Sequence, residues 1–218
     1  MTVAFISYQT EDKLLAGQVK EILNKSGIDT FLAHEDIEVS EQWRLEILKQ
    51  IRKARIFVAL ITKNYLDSIW CLQEAGISAS RTSMTTICLL LDETTPPGFL
   101  QAVQGKKCRD MKIYLGDMLP GLMKVEPELM LDRIISNIKG ASSFRGAEAH
   151  YKEIMPHINK LSNLQAANLL EAGFENGQVK NASLCAREYI PKVLKLFGHT
   201  ISKETREDIE KVCIEYQS

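Results

Sequence analysis

The sequence predicts an α/β protein in which a doubly wound parallel sheet is followed by a small all-α domain. Short apolar runs alternate with amphipathic segments through residues 1–139. The connections between them are too short for anything except right-handed crossovers. Strand character then disappears, and the remaining residues have the pattern of short helices. We therefore expect a flavodoxin-like sheet of about five strands with helices on both faces, and a helical region after it.

Several segments have the pattern of strands. They are VAFIS (3–7), IDTFL (28–32), RIFVALI (55–61), TTICLLL (85–91) and, as an edge strand, MKIYL (111–115). Helices are predicted at 11–26, 41–54, 64–80 and 127–139, with a short or irregular helix at 96–103. The nearly continuous apolar run of RIFVALI is typical of a central strand covered on both faces. Ligands of such sheets bind beyond the carboxyl ends of the strands. The loops at those ends are 8–12, 33–40, 62–68 and 92–97.

The predicted domain boundary lies in GASSFRG, residues 140–146, because this stretch is small, polar and rich in glycine. Residues 1–139 then form the α/β domain. Residues 147–218 have the pattern of four or five short helices and carry no chemical motif. We expect this helical domain to promote assembly, sense a trigger or bind a partner, and not to be a second enzyme.

Composition and charge exclude several classes of protein. A formal net charge of -1 gives no reason to expect binding to nucleic acid or to a membrane surface. No apolar run approaches the ~20 residues that cross a bilayer, and no secretory signal is visible, so a cytoplasmic location is expected. The five cysteines are scattered, without a CxxC pair or zinc-ligand spacing. We expect buried free thiols, no metal site and no resident cofactor.

The loops lack the motifs of several familiar sites. There is no GxxxxGK[ST] phosphate loop, and no GxGxxG follows the first strand. What remains is the helix that begins near Ser68, which is a suitable N-cap. In that helix Trp70 and Glu74 are four residues apart and share a face. Glu74 should lie near the loop-bearing edge of the sheet, where it faces either solvent or a cleft.

Four segments in order resemble the Toll/interleukin-1 receptor (TIR) domain family. AFISYQTED (4–12) resembles its first strand and acidic loop, and GIDTFLAHEDIEVSEQW (27–43) its second strand and BB loop. RIFVALITKNYLDSIWCLQEA (55–75) contains the S-x-W-C-x-x-E signature, and TTICLLLDETTPP (85–97) resembles the fourth strand with its proline-bearing loop. The resemblance covers residues 1–139 and implies a TIR domain there.

The resemblance implies one of two functions. Some members of the family are adaptors that only assemble with other TIR domains, whereas others cleave NAD+ at the nicotinamide–ribose bond. In the second branch the catalytic glutamate lies four residues beyond a tryptophan, and this position is Glu74 here. We expect an NAD+ nucleosidase of the bacterial type that acts in antiviral defence signalling and yields nicotinamide with ADP-ribose or a cyclic isomer. The non-catalytic adaptor is the alternative.

The resemblance also implies a set of substrate-binding residues. Tyr8 and Gln9 would border the nucleotide, and Trp43 would contact adenine or a neighbouring subunit, with a core role equally open. Ser68 and Trp70 complete the set, although we expect Ser68 mainly to cap its helix and Trp70 mainly to pack.

Two departures from the family pattern bear on partners and phosphate binding. The BB loop has Val39 and Ser40 where a proline or glycine is usual, and Gln9 follows Tyr8 where plant members have an Arg-Gly pair. Phosphate contacts are therefore expected from Arg44 or Lys63. The implied partners are NAD+ as substrate, other TIR domains through self-association, and a downstream effector that senses the nucleotide product.

Overall fold

The chain divides into two compact units between Pro127 and Glu128. A computed structural model describes residues 3–32 and 43–216. None of their helices is long and apolar enough to span a membrane. The five cysteines are buried free thiols, which confirms the prediction from their spacing.

The first unit is a parallel sheet flanked by helices. Its strands are β1 (Val3–Ser7), β2 (Asp29–Leu32), β3 (Ile56–Ile61), β4 (Thr85–Leu90) and β5 (Lys106–Lys107). Its helices are α1 (Lys13–Lys25), α2 (Trp43–Lys53), α3 (Lys63–Asp67), α4 (Ile69–Ala79) and α5 (Leu115–Val125). The described residues form five strands in the order β2-β1-β3-β4-β5, all parallel. The predicted flavodoxin-like fold is confirmed.

Buried apolar strands place the core of this unit at β1 and β3. All six residues of β3 are buried, as its continuous apolar run predicted. Phe5 of β1 is in register with Phe31 on one side and Phe57 on the other, with ring centroids 5.5 and 5.7 Å apart. These rings pack in one cluster with residues of α2 and α4. Side chains alternate across a strand, so Ser7 lies on the same face as Phe5.

The predicted edge strand at 111–115 is wrong. The last strand is β5, whose two residues pair with Leu89 and Leu90 of β4. Tyr114 instead precedes α5: its backbone N–H donates to Asp117 Oδ2 at 2.9 Å, and the Asp117 N–H donates back to the Tyr114 carbonyl at 3.0 Å. These local bonds occupy backbone groups that a strand would need for its ladder.

The second unit is helical throughout the part that the structure describes. Its helices are α6 (Pro127–Lys139), which begins at the boundary, α7 (Phe144–Ile154), α8 (Asn163–Glu175), α9 (Gly177–Lys180), α10 (Ile190–Phe197) and α11 (Lys203–Glu215). Short 3-10 segments and a π-helical turn at Cys185–Tyr189 connect them. Tyr151 lies fully buried in its core, stacked on Tyr189 with ring centroids 5.8 Å apart.

The two units differ from the predicted domains in where they divide. The residues of α6 fall with the helical unit, and α7 begins at Phe144, inside the predicted linker. Ser143 caps α7 by accepting a hydrogen bond from the Gly146 N–H at 3.1 Å. A boundary at Lys139 with a linker at 140–146 stays a prediction about domain organisation.

Candidate functional site

Two polar caps shape the segment that follows β3. The predicted single helix over 64–80 is in fact α3 and α4, with Ser68 in extended conformation between them. Thr62 Oγ1 accepts from the Tyr65 N–H at 3.0 Å and so begins α3. Ser68 Oγ accepts from the Cys71 N–H at 3.3 Å and begins α4, which confirms its predicted capping role.

Helix α4 places Glu74 on its buried face. The buried residues of this helix are Cys71, Glu74, Ala75 and Ser78, a spacing that lines one stripe of a helix. Glu74 is 2% exposed, and this stripe packs on the sheet. The solvated alternative for Glu74 is therefore excluded in this structure.

A cluster of three buried polar side chains forms beside the end of β1. Ser7 Oγ donates to Glu74 Oε2 at 2.5 Å, and Ser7 Oγ lies 3.2 Å from Tyr65 Oη. The Tyr65 hydroxyl also donates to the Cys71 carbonyl at 3.2 Å. Glu74 Oε1 is buried and has no hydrogen-bond partner among the described residues. We call these three residues the Ser7–Tyr65–Glu74 cluster.

The cluster sits where a ligand is expected in a sheet of this order. Strand order reverses direction between β1 and β3, which are neighbours, and ligands of open α/β sheets bind outside the carboxyl ends at such a point. Ser7 ends β1, and Tyr65 and Glu74 follow β3. The reversal thus brings chain segments far apart in sequence to one edge of the sheet.

Burial controls the protonation of these side chains. Burial raises the pKa of the Glu74 carboxyl to about 7, opposed by the hydrogen bond from Ser7, which lowers it. Burial likewise raises the pKa of the Cys71 thiol to about 12 and that of Tyr65 well above its usual range. At neutral pH, therefore, Tyr65 and Cys71 are uncharged, and Glu74 is the member of this group that titrates.

A second contact joins the loops after β1 and β3. The Asp12 carboxylate is 8% exposed and accepts from Thr62 Oγ1 at 2.6 Å and from Asn64 Nδ2 at 3.3 Å. This carboxylate holds the start of α3 next to the start of α1. It thereby fixes Tyr65 relative to Ser7.

The two tryptophans of the chain contact each other near the start of α4. Trp43 and Trp70 pack edge to face with ring centroids 4.3 Å apart. Trp70 is 38% exposed, so it packs, as predicted, but at the rim of the core. Trp43 is half-buried and packs against the core cluster that contains Cys71.

The other predicted site residues differ in their exposure to solvent. Tyr8 is fully buried, and Gln9 accepts a hydrogen bond from the Thr10 N–H through its side chain. Arg44 and Lys63 are exposed. The BB loop, including Val39 and Ser40, lies outside the described residues. Substrate binding by Tyr8, Gln9, Trp43, Ser68 and Trp70 stays a prediction.

A cavity of about 740 Å³ lies elsewhere in the first unit. It is lined by the end of α4, β4 from Thr85 to Cys88, residues between 99 and 106, and part of α5, including Ser78, Thr85 and Lys124. Glu74 does not line it, and the amino end of β4 is opposite to the edge where sheets of this kind bind ligands. We therefore assign the candidate site to the Ser7–Tyr65–Glu74 cluster and not to this cavity.

Sequence reasoning missed two members of the cluster. Ser7 was assigned to a strand and Tyr65 to a helix, with no site role. The available signal was a serine at the carboxyl end of the first strand, on the same side as inward-facing Phe5. The shared face of Phe5 and Ser7, together with a glutamate on a helix that covers the sheet, could have indicated the contact between Ser7 and Glu74.

A family model decides the identity of the first unit. The TIR domain model matches residues 4–114, about half of the chain. The chain belongs to the TIR domain family. This TIR domain carries a helical region after it, and TIR domains typically self-associate.

Relatives of this TIR protein include two plant proteins. It is 39% identical over 62 residues to "Disease resistance protein RPP5" of Arabidopsis thaliana, and this alignment covers 28% of this chain and 4% of the relative. It is 32% identical over 72 residues to "TMV resistance protein N" of Nicotiana glutinosa, and this alignment covers 32% of this chain and 6% of the relative. The chain thus matches only a small part of these curated relatives.

A solved structure is also similar. It is the crystal structure of the TIR domain of the Toll-related receptor TRR-2 from Hydra magnipapillata, at 18% identity and a TM-score of 0.46. The match covers 58% of this chain and 97% of that chain.

Proposed function

We propose that this protein is an NAD+ nucleosidase that cleaves the nicotinamide–ribose bond, with Glu74 as its catalytic carboxylate. The observation that supports this is the buried Glu74 side chain, with Oε2 bound by Ser7 and Oε1 left without a partner among the described residues. An unpaired oxygen of a buried carboxylate is costly to keep, and such groups concentrate at functional sites. The TIR domain family includes enzymes of this activity.

The chemistry requires one well-placed carboxylate. Nicotinamide in NAD+ is a cationic leaving group, so it needs no protonation, in contrast to the leaving groups of ordinary glycosidases. As the C–N bond stretches, positive charge develops on the ribose. An ionised Glu74 beside the ribose stabilises that charge more strongly in the transition state than in the ground state. Water that captures the cation yields ADP-ribose, and capture by an atom of the same molecule yields a cyclic isomer.

Substrate access is the step that must be regulated. Glu74 is 2% exposed, so NAD+ reaches Oε1 only after the surrounding groups rearrange. Self-association of TIR domains is a source of such rearrangement, with the BB loop of one copy completing the site of another. We therefore propose that activity rises steeply with protein concentration, and that the helical unit promotes this assembly.

The test compares NAD+ cleavage by the 218-residue chain and two glutamate variants. Nicotinamide release is followed by chromatography over a wide range of protein concentration, with and without a crowding agent. Glu74→Gln should lower the rate ~10²–10³-fold, because it removes the charge that stabilises the transition state. The control Glu21→Gln changes an exposed glutamate of α1 and should leave the rate unchanged. Full activity in Glu74→Gln would exclude the catalytic role, and mass spectrometry of the products separates ADP-ribose from a cyclic isomer.

The burial of Glu74 also favours a second candidate, the non-catalytic TIR adaptor. A carboxylate that never becomes accessible serves no reaction, and the protein then acts by TIR–TIR assembly alone. Absence of nicotinamide release in assembled protein would establish this alternative. In either case we propose a role in defence signalling, consistent with the resistance proteins among its relatives. For the enzyme, a downstream effector would sense the nucleotide product.

A further inference from the structure

The two oxygens of the Glu74 carboxylate have different surroundings. Oε2 accepts a short hydrogen bond from Ser7 Oγ, whereas Oε1 is equally buried and has no partner among the described residues. A carboxylate can rotate about its last bond and exchange its oxygens unless one of them is held. The Ser7 contact therefore selects which oxygen stays available.

We infer that Ser7, supported by Tyr65, is a positioning residue that fixes Glu74 Oε2 and so presents Oε1 to the substrate. This inference rests on the proposed function, since it names how the same carboxylate is oriented. Ser7 touches Glu74 and acts through it. The role of Tyr65 is to hold the Ser7 hydroxyl in the direction of the carboxylate.

The supply of hydrogen atoms fixes the direction of these contacts. The Ser7 hydroxyl has one proton, and an ionised carboxylate at 2.5 Å can only accept it. At the 3.2 Å contact with Ser7, the tyrosine must then donate. The Tyr65 hydroxyl, which lies 3.2 Å from the Cys71 carbonyl as well, shares its proton between the two oxygens. The chain of donation thus runs from Tyr65 to Ser7 to Glu74.

The backbone holds the three side chains rigidly. Ser7 is the last residue of β1 and pairs with Ala59 of β3, so the sheet fixes its position. Tyr65 is held through its backbone N–H by Thr62, and Glu74 lies in the second turn of α4. Ser7 and Tyr65 have no exposed surface. A hydroxyl fixed in this way loses little freedom on binding the carboxylate, as a preorganised contact requires.

The same contact sets the charge on Glu74. Of the side chains that face it, Tyr65 and Cys71 are neutral at pH 7, because burial raises the pKa of both. The Ser7 hydroxyl is the group that lowers the pKa of Glu74 against the effect of burial. Removal of this hydroxyl should therefore raise the pKa of Glu74 above about 7 and leave it largely protonated at neutral pH.

The test measures the titration of Glu74 directly. The 218-residue chain, labelled with 13C at the glutamate carboxyl carbon, is titrated by NMR, and Glu74→Gln identifies the Glu74 signal. Ser7→Ala should raise the pKa of Glu74 by about one unit or more, and Ser7→Thr, which keeps the hydroxyl, should leave it within about half a unit. Tyr65→Phe should give a smaller rise, which tests the inference independently should Ser7→Ala fail to fold.

A matched serine separates this effect from a general loss of packing. Ser78 is also buried in α4, and its hydroxyl donates to the Ala75 carbonyl at 2.9 Å. Ser78→Ala should leave the Glu74 titration unchanged. An unshifted pKa in both Ser7→Ala and Tyr65→Phe, or an equal shift in Ser78→Ala, would overturn the positioning role.

The kinetic readout distinguishes this inference from the proposed function. In an active enzyme, Ser7→Ala should lower kcat about tenfold or more at pH 7, with little change in KM and partial recovery at higher pH. Absence of NAD+ cleavage in every variant would contradict the proposed function and leave the titration result standing. Cleavage with an unshifted Glu74 titration in both cluster variants would contradict the positioning role alone.

Discussion

Glu74 destabilises the folded protein at the pH where the proposed reaction would need its charge. Its folded pKa of about 7 lies above its ordinary value of 4.5. A raised carboxyl pKa means that the folded state binds the proton more tightly than the unfolded state. Stability is therefore fully present below about pH 4.5, declines as the pH rises, and reaches its lower level above about pH 7. The total loss is about 3 kcal/mol, because each unit of pKa shift corresponds to about 1.4 kcal/mol.

Replacement of Glu74 by glutamine should remove this pH dependence. We expect Glu74→Gln to be more stable than the wild type at pH 8, by up to about 3 kcal/mol, and the difference to shrink as the pH falls to 5. Denaturant unfolding at the two pH values measures this. The exposed control Glu21→Gln should change stability by less than about 0.5 kcal/mol at either pH. A difference that is independent of pH would show that Glu74 is not a buried titrating group.

The sequence made Glu74 a candidate site residue but did not predict its contacts with other side chains. The spacing of Trp70 and Glu74 is local, and a helix converts that spacing into a shared face. Ser7, by contrast, contacts Glu74 across 67 residues of the chain and Tyr65 across 58. Such contacts depend on strand order, which a single sequence does not specify.

At the scale of elements, Ser68 lies between α3 and α4 and caps α4. It is also one of the residues predicted to bind NAD+. Loss of its capping hydrogen bond in Ser68→Ala should destabilise the protein by about 1 kcal/mol. The control Ser202→Ala removes the equivalent cap of α11, where Ser202 Oγ accepts from the Thr205 N–H at 3.1 Å, and should cost a similar amount. Equilibrium unfolding compares the two. If Ser68 is only a cap, the KM for NAD+ should be unchanged in both variants, whereas a rise in Ser68→Ala alone would show substrate contact.

The sequence predicted an element correctly where a single physical effect, such as burial on both faces, determines its amino-acid pattern. β3 is covered on both faces, and this produces the continuous apolar run that identified it. Helix α5 was missed because Pro120 and Gly121 lie inside it, and both residues disfavour helices. Gly121 is required by packing: a Cβ there would lie 2.5 Å from Ile87 Cγ1 of β4. Close approach of α5 to the sheet thus overrides local propensity.

At the scale of the whole molecule, the helical unit depends on close packing around Tyr151. A Cβ on Gly173 of α8 would lie 2.6 Å from Tyr151 Oη, and this ring is fully buried and stacked on Tyr189. Gly173→Ala should therefore destabilise the protein by about 1–3 kcal/mol, despite the higher helix propensity of alanine. Thermal unfolding of the full chain measures the loss. The double variant with Tyr151→Phe, which removes the clashing oxygen, should recover part of it.

A second helical glycine, Gly76, serves as a control for the effect of Gly173→Ala. Gly76 lies inside α4, and a Cβ there meets nothing within 4 Å. Gly76→Ala should stabilise the protein by about 0.5–1 kcal/mol, as expected for the same exchange in an open helix position. Equal effects of the two substitutions would contradict the proposed packing around Tyr151.

The contact between Trp43 and Trp70 gives the protein its own optical probe. Because the chain has no other tryptophan, its tryptophan fluorescence comes entirely from this pair, of which Trp43 begins α2 and Trp70 lies in the first turn of α4. Under the proposed function, binding of NAD+ beside Glu74, or docking of a second protomer there, should alter the quenching of these indoles without any added dye. Equilibrium titration followed by fluorescence can therefore separate occupancy from turnover, even in a variant that performs no chemistry.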